Sequence, residues 1–186
     1  NSSAASDVYK RQALIVACIF MLFYIWFRFK DIRFAGSAII ALVHDVLVML
    51  TGYALIRISV GNTFIACILT IVGYSINDTI VIFDRIRENM QGMKKQTPET
   101  LAEVANRSLT QTLSRSLNTS ITTIIMVLLL FILGVSSIRE FALPLMIGLI
   151  SGTYSSIFIA AALWYVMKLH LGKDKLMKAA AKTKKK

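Results

Sequence analysis

Negative charge and cysteine are scarce in this chain. Ten Asp and Glu stand against 21 Lys and Arg, and only 17% of the 186 positions are charged, where soluble domains carry about 25%. The charges cluster between long apolar runs, and hydrophobic residues reach 56%, which excludes an ordinary soluble domain. The two cysteines, Cys18 and Cys67, each sit in an apolar run without CxxC or Cys/His spacing. That pattern supports neither a disulfide framework nor a metal centre, and both read as small apolar residues packed among helices. There is no Walker A loop, HExxH or nucleophile elbow, so the chain is read as a non-enzyme that implies no cofactor. Nothing near Asn1 resembles a signal peptide. Residues 1–12 are polar and differ in character from the apolar run that begins at Ala13, so the chain is expected to be a fragment lacking its true N-terminal portion.

The net charge of +11 invites a nucleic-acid reading, but the placement of the charge argues against it. Eight of the 21 basic residues lie between Lys168 and Lys186, and most of the others flank apolar segments. Such charge orients helices and touches anionic lipid headgroups, so lipid at the basic tail is the expected contact and nucleic acid is not.

What is present in abundance is apolar sequence of membrane-spanning length. The expectation is an all-α integral membrane protein with five spans at about 13–29, 34–56, 63–83, 116–133 and 141–167, with a basic tail at 168–186. Between the third and fourth spans lies a long polar stretch. There Thr97-Pro98 reads as an N-cap with proline at the first helical position. Leu101, Val104, Ala105, Leu109 and Leu113 then fall on one side of an amphipathic helix over 98–113. Gly134 to Glu140 reads as a short turn, with Pro144 in the first turn of the last span, where its missing N–H costs nothing. The side holding the Arg28–Arg33 loop, the 84–115 stretch and the tail carries 17 basic residues, and the opposite side four. By the positive-inside rule the tail is cytoplasmic.

Ionisable groups inside a span are costly, by roughly 2.5–3.5 kcal/mol on insertion scales, and persist where they face partners. Three stand well within spans: His44, Asp45 and Asp78. Asp78 lies five residues from the inner end of its expected span, or ~8 Å at ~1.5 Å per residue, with Ser75 and Tyr74 one turn back on its face. Asn77 is adjacent and points elsewhere. Burial opposes the carboxylate and a nearby cation favours it, so a carboxyl held between the two can load and unload a proton. The candidate cation is Arg115, at the cytoplasmic start of the fourth span, with Asn118 continuing its face. It meets Asp78 if those antiparallel helices are neighbours; otherwise it is a snorkelling anchor. His44 and Asp45 stand mid-span as a proton relay or as a satisfied polar pair fixing helix packing, with one of the two facing the core. Gly148, Gly152, Ser156 and Ala160 recur every four residues, a spacing that lets another helix approach closely.

The segment Gly73-Tyr74-Ser75-Ile76-Asn77-Asp78-Thr79-Ile80-Val81-Ile82-Phe83-Asp84-Arg85-Ile86-Arg87-Glu88-Asn89 closely resembles the signature of the SecF family, the smaller partner of SecD in bacterial protein export. Ala41–Val46, Ser114–Ser120 and Gly152–Ser156 resemble the family too, and the likeness runs from about Ala13 to Met167. It implies an RND-type architecture in which the five spans are the second to sixth of a six-helix half, without the first helix and the periplasmic domain. It further implies an accessory subunit of the Sec translocase in the bacterial inner membrane, coupling the proton motive force to export. SecD, the SecYEG translocon, YajC and exported preprotein are the implied partners, with Asp78 and Arg115 in proton conduction and His44, Asp45, Asn77 and Asn118 ranked behind them. An RND-type exporter of small molecules or lipids is the alternative, and a purely structural scaffold the third reading.

Overall fold

Asp31 stands in extended backbone and its carboxylate accepts the Arg33 N–H, an N-cap that starts α1 (Ile32–Ile56). The computed structural model describes residues 31–57, 62–91, 93 and 96–171, together with positions 8, 9, 12, 13, 15–17, 19, 20, 23, 24, 27 and 28. Those scattered early positions are helical. The rest of the first expected span, most of the polar start, Cys18, the 58–61 connection and the tail beyond Leu171 lie outside the described residues. After α1 come α2 (Asn62–Gln91) and α3 (Pro98–Leu133). The last helix runs as α4 (Ser136–Tyr154), a π-helical stretch (Ser155–Ala160) and α5 (Ala161–Leu171). Four helices are long and apolar enough to cross a membrane, α1, α2, α3 and the whole of Ser136–His170, and no strand occurs among the described residues.

α1 ends at Arg57, a non-glycine residue in the left-handed region at φ 58°, whose N–H returns to the Tyr53 carbonyl. That bond satisfies one of the last carbonyls of the helix. α3 begins at the anticipated place: Thr97 Oγ1 accepts the Thr100 N–H, Thr100 Oγ1 accepts the Thr97 N–H, and Pro98 succeeds the cap.

Three helix limits lie elsewhere than the expected span and turn limits, because polar sequence here stays helical. α2 continues through the charged 84–91 segment, held by the Arg85–Glu88 pair at 2.6 Å and by Arg85 Nε donating to Gln111 on α3. The amphipathic helix over 98–113 and the fourth span are one unbroken helix, α3, whose N-terminal half buries Leu101, Val104, Ala105, Ser108 and Thr112. The turn expected over Gly134–Glu140 shrinks to Gly134 and Val135, because the Val135 carbonyl accepts from Ile138 and Arg139 and starts α4 at Ser136. Pro144 therefore lies inside α4, where it leaves the Glu140 carbonyl without its usual donor.

The last helix packs against α1, α2 and α3 and is the most buried of the four, while α3 is the least. Gly148, Gly152, Ser156 and Ala160 are all buried. A Cβ on Gly148 would collide with the Ile71 side chain, and one on Gly152 would lie 3.3 Å from Ser75 Cβ. Small residues at that spacing let α2 and the last helix close to backbone distance. Threonines on less covered faces satisfy themselves: Thr70, Thr119 and Thr123 donate to carbonyls four residues back.

Candidate functional site

Two carboxylates are buried between the helices, one turn of α2 apart in level. The first, Asp78 on α2, is 7% exposed. Its Oδ1 accepts from Ser116 Oγ of α3 at 2.6 Å, and its Oδ2 has no partner among the described residues. The α2 and α3 helices are neighbours, as meeting Arg115 required, but the residue that bonds Asp78 is Ser116. Arg115 is exposed and forms no ion pair among the described residues. Asn77 and Asn118 are exposed too. Asn77, Arg115 and Asn118 are thus three exposed polar residues on the helices that carry and bond Asp78.

From Asp78 a run of hydroxyls leads along the α2–α3–α4 contact. One turn beyond Ser116 stands Ser120, which donates to the Ser116 carbonyl and accepts from Tyr74 of α2 at 2.8 Å. Thr153 of α4 stands 2.8 Å from Ser120 Oγ. Ser116 and Ser120 escaped the sequence reading, although Ser116 sits directly after Arg115 and repeats at Ser120, the spacing of one helix face.

The second carboxylate is Asp45 on α1, fully buried. Its Oδ2 accepts from Ser75 of α2 at 2.6 Å and Ser155 of the π-helical stretch at 2.7 Å; its Oδ1 accepts from Ser151 of α4 at 2.9 Å. His44 Nδ1 lies 3.3 Å from the same Oδ1. As anticipated, one of the two residues faces the core, and it is Asp45; the His44 side chain remains 36% exposed. Three hydroxyls donating to one group suit an acceptor-only carboxylate. Ser156, adjacent to Ser155, also turns inward: its Oγ donates to the Ser75 carbonyl at 3.2 Å and lies 2.9 Å from Thr79 Oγ1. A regular α-helix turns neighbouring residues about 100° apart, and the π-helical geometry here lets both serines engage α1 and α2. No direct bond joins Asp45 to Asp78 among the described residues; Ser75, which bonds Asp45, stands three residues before Asp78 on α2.

Toward the C-terminal end of α2, Arg28 Nη2 pairs with Asp84 at 2.6 Å and Arg87 reaches the Arg28 carbonyl. With the Arg85–Glu88 pair, these contacts make the segment after Phe83 a network of mixed charge. Among the described residues no group of His, Cys, Asp and Glu is arranged to hold a metal ion.

The chain matches the family described as protein export membrane protein SecD/SecF, C-terminal, over residues 4–170. It is 50% identical over 152 residues to the protein translocase subunit SecF of Alicyclobacillus acidocaldarius, an alignment covering 82% of this chain and 49% of that protein. It is 46% identical over 156 residues to the protein translocase subunit SecDF of Bacillus subtilis, covering 84% of this chain and 21% of the relative. The crystal structure of SecDF, a translocon-associated membrane protein from Thermus thermophilus, superimposes with a TM-score of 0.79 at 43% identity, covering 86% of this chain and 22% of the other. The chain thus spans about half the length of the SecF relative and about a fifth of the SecDF chains. A helical membrane bundle with this signature, matched over nearly its whole length, belongs to the SecD/SecF family, in its C-terminal membrane portion.

Proposed function

We propose that the chain is the membrane portion of an accessory subunit of the Sec translocase, one that couples proton movement to polypeptide export together with SecD in the bacterial inner membrane. The observation that carries this reading is the half-satisfied Asp78. A buried acceptor without a partner costs about 1–3 kcal/mol, and a purely structural carboxylate has no reason to keep one. With Oδ1 occupied by Ser116 and Oδ2 open, the group takes a proton on Oδ2 without breaking its existing bond. Arg115 supplies the compensating charge when the proton leaves.

The case for a partner rests on the exposed polar side chains of Asn77, Arg115 and Asn118. Polar groups at membrane depth require protein or water rather than lipid. The SecDF relatives favour SecD as the chain that covers them, with the SecYEG translocon, YajC and preprotein joining through the larger assembly. The cytoplasmic placement of the tail rests on the basic-residue count.

The test is rescue of a secretion defect by the full-length protein. Restored export by the wild-type form, with failure of Asp78→Asn despite normal assembly with SecD, is expected. Rescue by Asp78→Asn to the wild-type level sinks the coupling role and favours the scaffold reading.

A further inference from the structure

We infer that Tyr74 and Asn89 are positioning residues that set the register of α2 against α3, so that Ser116 and no other hydroxyl of α3 meets Asp78. The need for such residues arises in α3 itself. Between Ala105 and Val127 its only buried residues are Ser108, Thr112, Ser116 and Ser120, one turn apart along a single face. The apolar residues of that stretch are half-buried or exposed, so no buried apolar side chain keys it to a neighbour. A slide of one turn, ~5.4 Å, replaces each hydroxyl by the next. Thr112 or Ser120 would then stand where Ser116 stands, and Asp78 would accept from it equally well. The Asp78–Ser116 bond of 2.6 Å therefore does not choose its own register.

Bonds on either side of Asp78 make the choice. One turn before it on α2, Tyr74 Oη donates to Ser120 Oγ at 2.8 Å, so the pairs 74–120 and 78–116 are two rungs of one antiparallel ladder. Further along α2, Asn89 Nδ2 donates to Ser108 Oγ at 2.8 Å and to Gln111 Oε1 at 3.0 Å. Each of the two residues excludes one slide. Moving Thr112 to Asp78 brings Val104 level with Asn89, an apolar side chain in place of two acceptors. Moving Ser120 to Asp78 brings Ile124 level with Tyr74, whose phenol loses its acceptor. A polar group left without its partner is costly, and a single polar residue at a helix contact fixes register in coiled coils for the same reason.

Two neighbouring contacts show why the task falls to these residues. Arg85 Nε donates to Gln111 Oε1 at 2.7 Å on the same ladder, but that bond is exposed, and exposed charged contacts hold little. Thr112 has no partner on another helix among the described residues, its hydroxyl turning back to the Ser108 and Leu109 carbonyls. It is the donor that a slipped α3 would offer. The inference bears on export through the role proposed for Asp78, whereas the register stands without that role.

The test is infrared spectroscopy of the full-length protein with SecD, the Asp78 stretching band being the one that Asp78→Asn removes. In the wild type Ser116→Ala is expected to shift that band and Thr112→Ala to leave it in place. In the double variant Tyr74→Phe/Asn89→Leu both slides end in apolar contacts, and a component of the band is expected to answer to Thr112→Ala or Ser120→Ala. Asn89→Gln, which keeps the amide, is expected to hold the wild-type pattern. A band that answers to Ser116→Ala alone in the double variant overturns the inference, even where stability has fallen, because a merely structural role lowers stability without changing the donor. If the double variant does not fold, Asn89→Leu alone decides: a response to Thr112→Ala supports the register role, and its absence overturns it. The band reads the contact and not transport, so a wild-type protein without gradient-dependent export would refute the coupling role of Asp78 and leave the register intact.

Discussion

Placing alanine at three glycines tests how closely the helices pack. A Cβ at Gly148 collides with Ile71, a fully buried side chain on α2. Neither partner is the flexible end of a surface chain, so α2 and α4 must separate. Overpacking of this kind costs typically 1–3 kcal/mol, and Gly148→Ala is expected near the middle of that range. At Gly152 the nearest neighbour is Ser75 Cβ at 3.3 Å, a contact that yields a few tenths of an ångström. The expected loss there is below about 1 kcal/mol, since part of the strain is offset by better helix propensity. At Gly73 nothing lies within 4 Å, and alanine removes only backbone freedom, so a gain of up to about 1 kcal/mol is expected. The assay is reversible unfolding of the full-length protein, without SecD, in mixed micelles. A difference of about 1.4 kcal/mol is tenfold in the folded fraction, so the order Gly73→Ala, Gly152→Ala, Gly148→Ala is resolvable. Gly73→Ala as damaging as Gly148→Ala would refute the packing argument.

Other predictions concern the polar contacts. Ser116→Ala removes the single donor to Asp78 among the described residues and should cut proton-dependent export severely, while Ser116→Thr, which keeps the hydroxyl, should retain most of it; equal loss in both would point to shape and not hydrogen bonding. Arg115→Lys should preserve partial activity and Arg115→Gln little, measured as export in vesicles, and full activity of Arg115→Gln would return Arg115 to an anchoring role. Asp84→Asn breaks a pair with both side chains more than a third exposed, so it should change stability by no more than about 1 kcal/mol, less in high salt; a larger loss in the same unfolding assay would mean that the pair is shielded from water in the full-length protein.

Hydropathy makes α1 and the apolar parts of the other helices legible, because a run of apolar residues long enough to cross lipid has few alternative uses. It misplaces their ends where charged sequence stays helical, as in α2 beyond Phe83 and α3 before Arg115. Asp78 is legible from its cost in a membrane, whereas Ser116 is not, since a serine next to an arginine is unremarkable until the facing helix is known. The ranking of Asp45 behind Asp78 reflects the same limit: its three hydroxyl donors come from α2, α4 and the π-helical stretch, separated from it by 30 to 110 positions. No pattern in the sequence announces that stretch, because Ser155-Ser156 reads equally well on a regular helix.

The most direct measurement of the central claim is the dependence of export on an imposed proton gradient in vesicles carrying full-length Asp78→Asn with SecD. Export is predicted to proceed at its gradient-independent rate and no longer to respond when the gradient is raised, although the complex assembles. A response equal to that of the wild type would contradict the coupling role of Asp78.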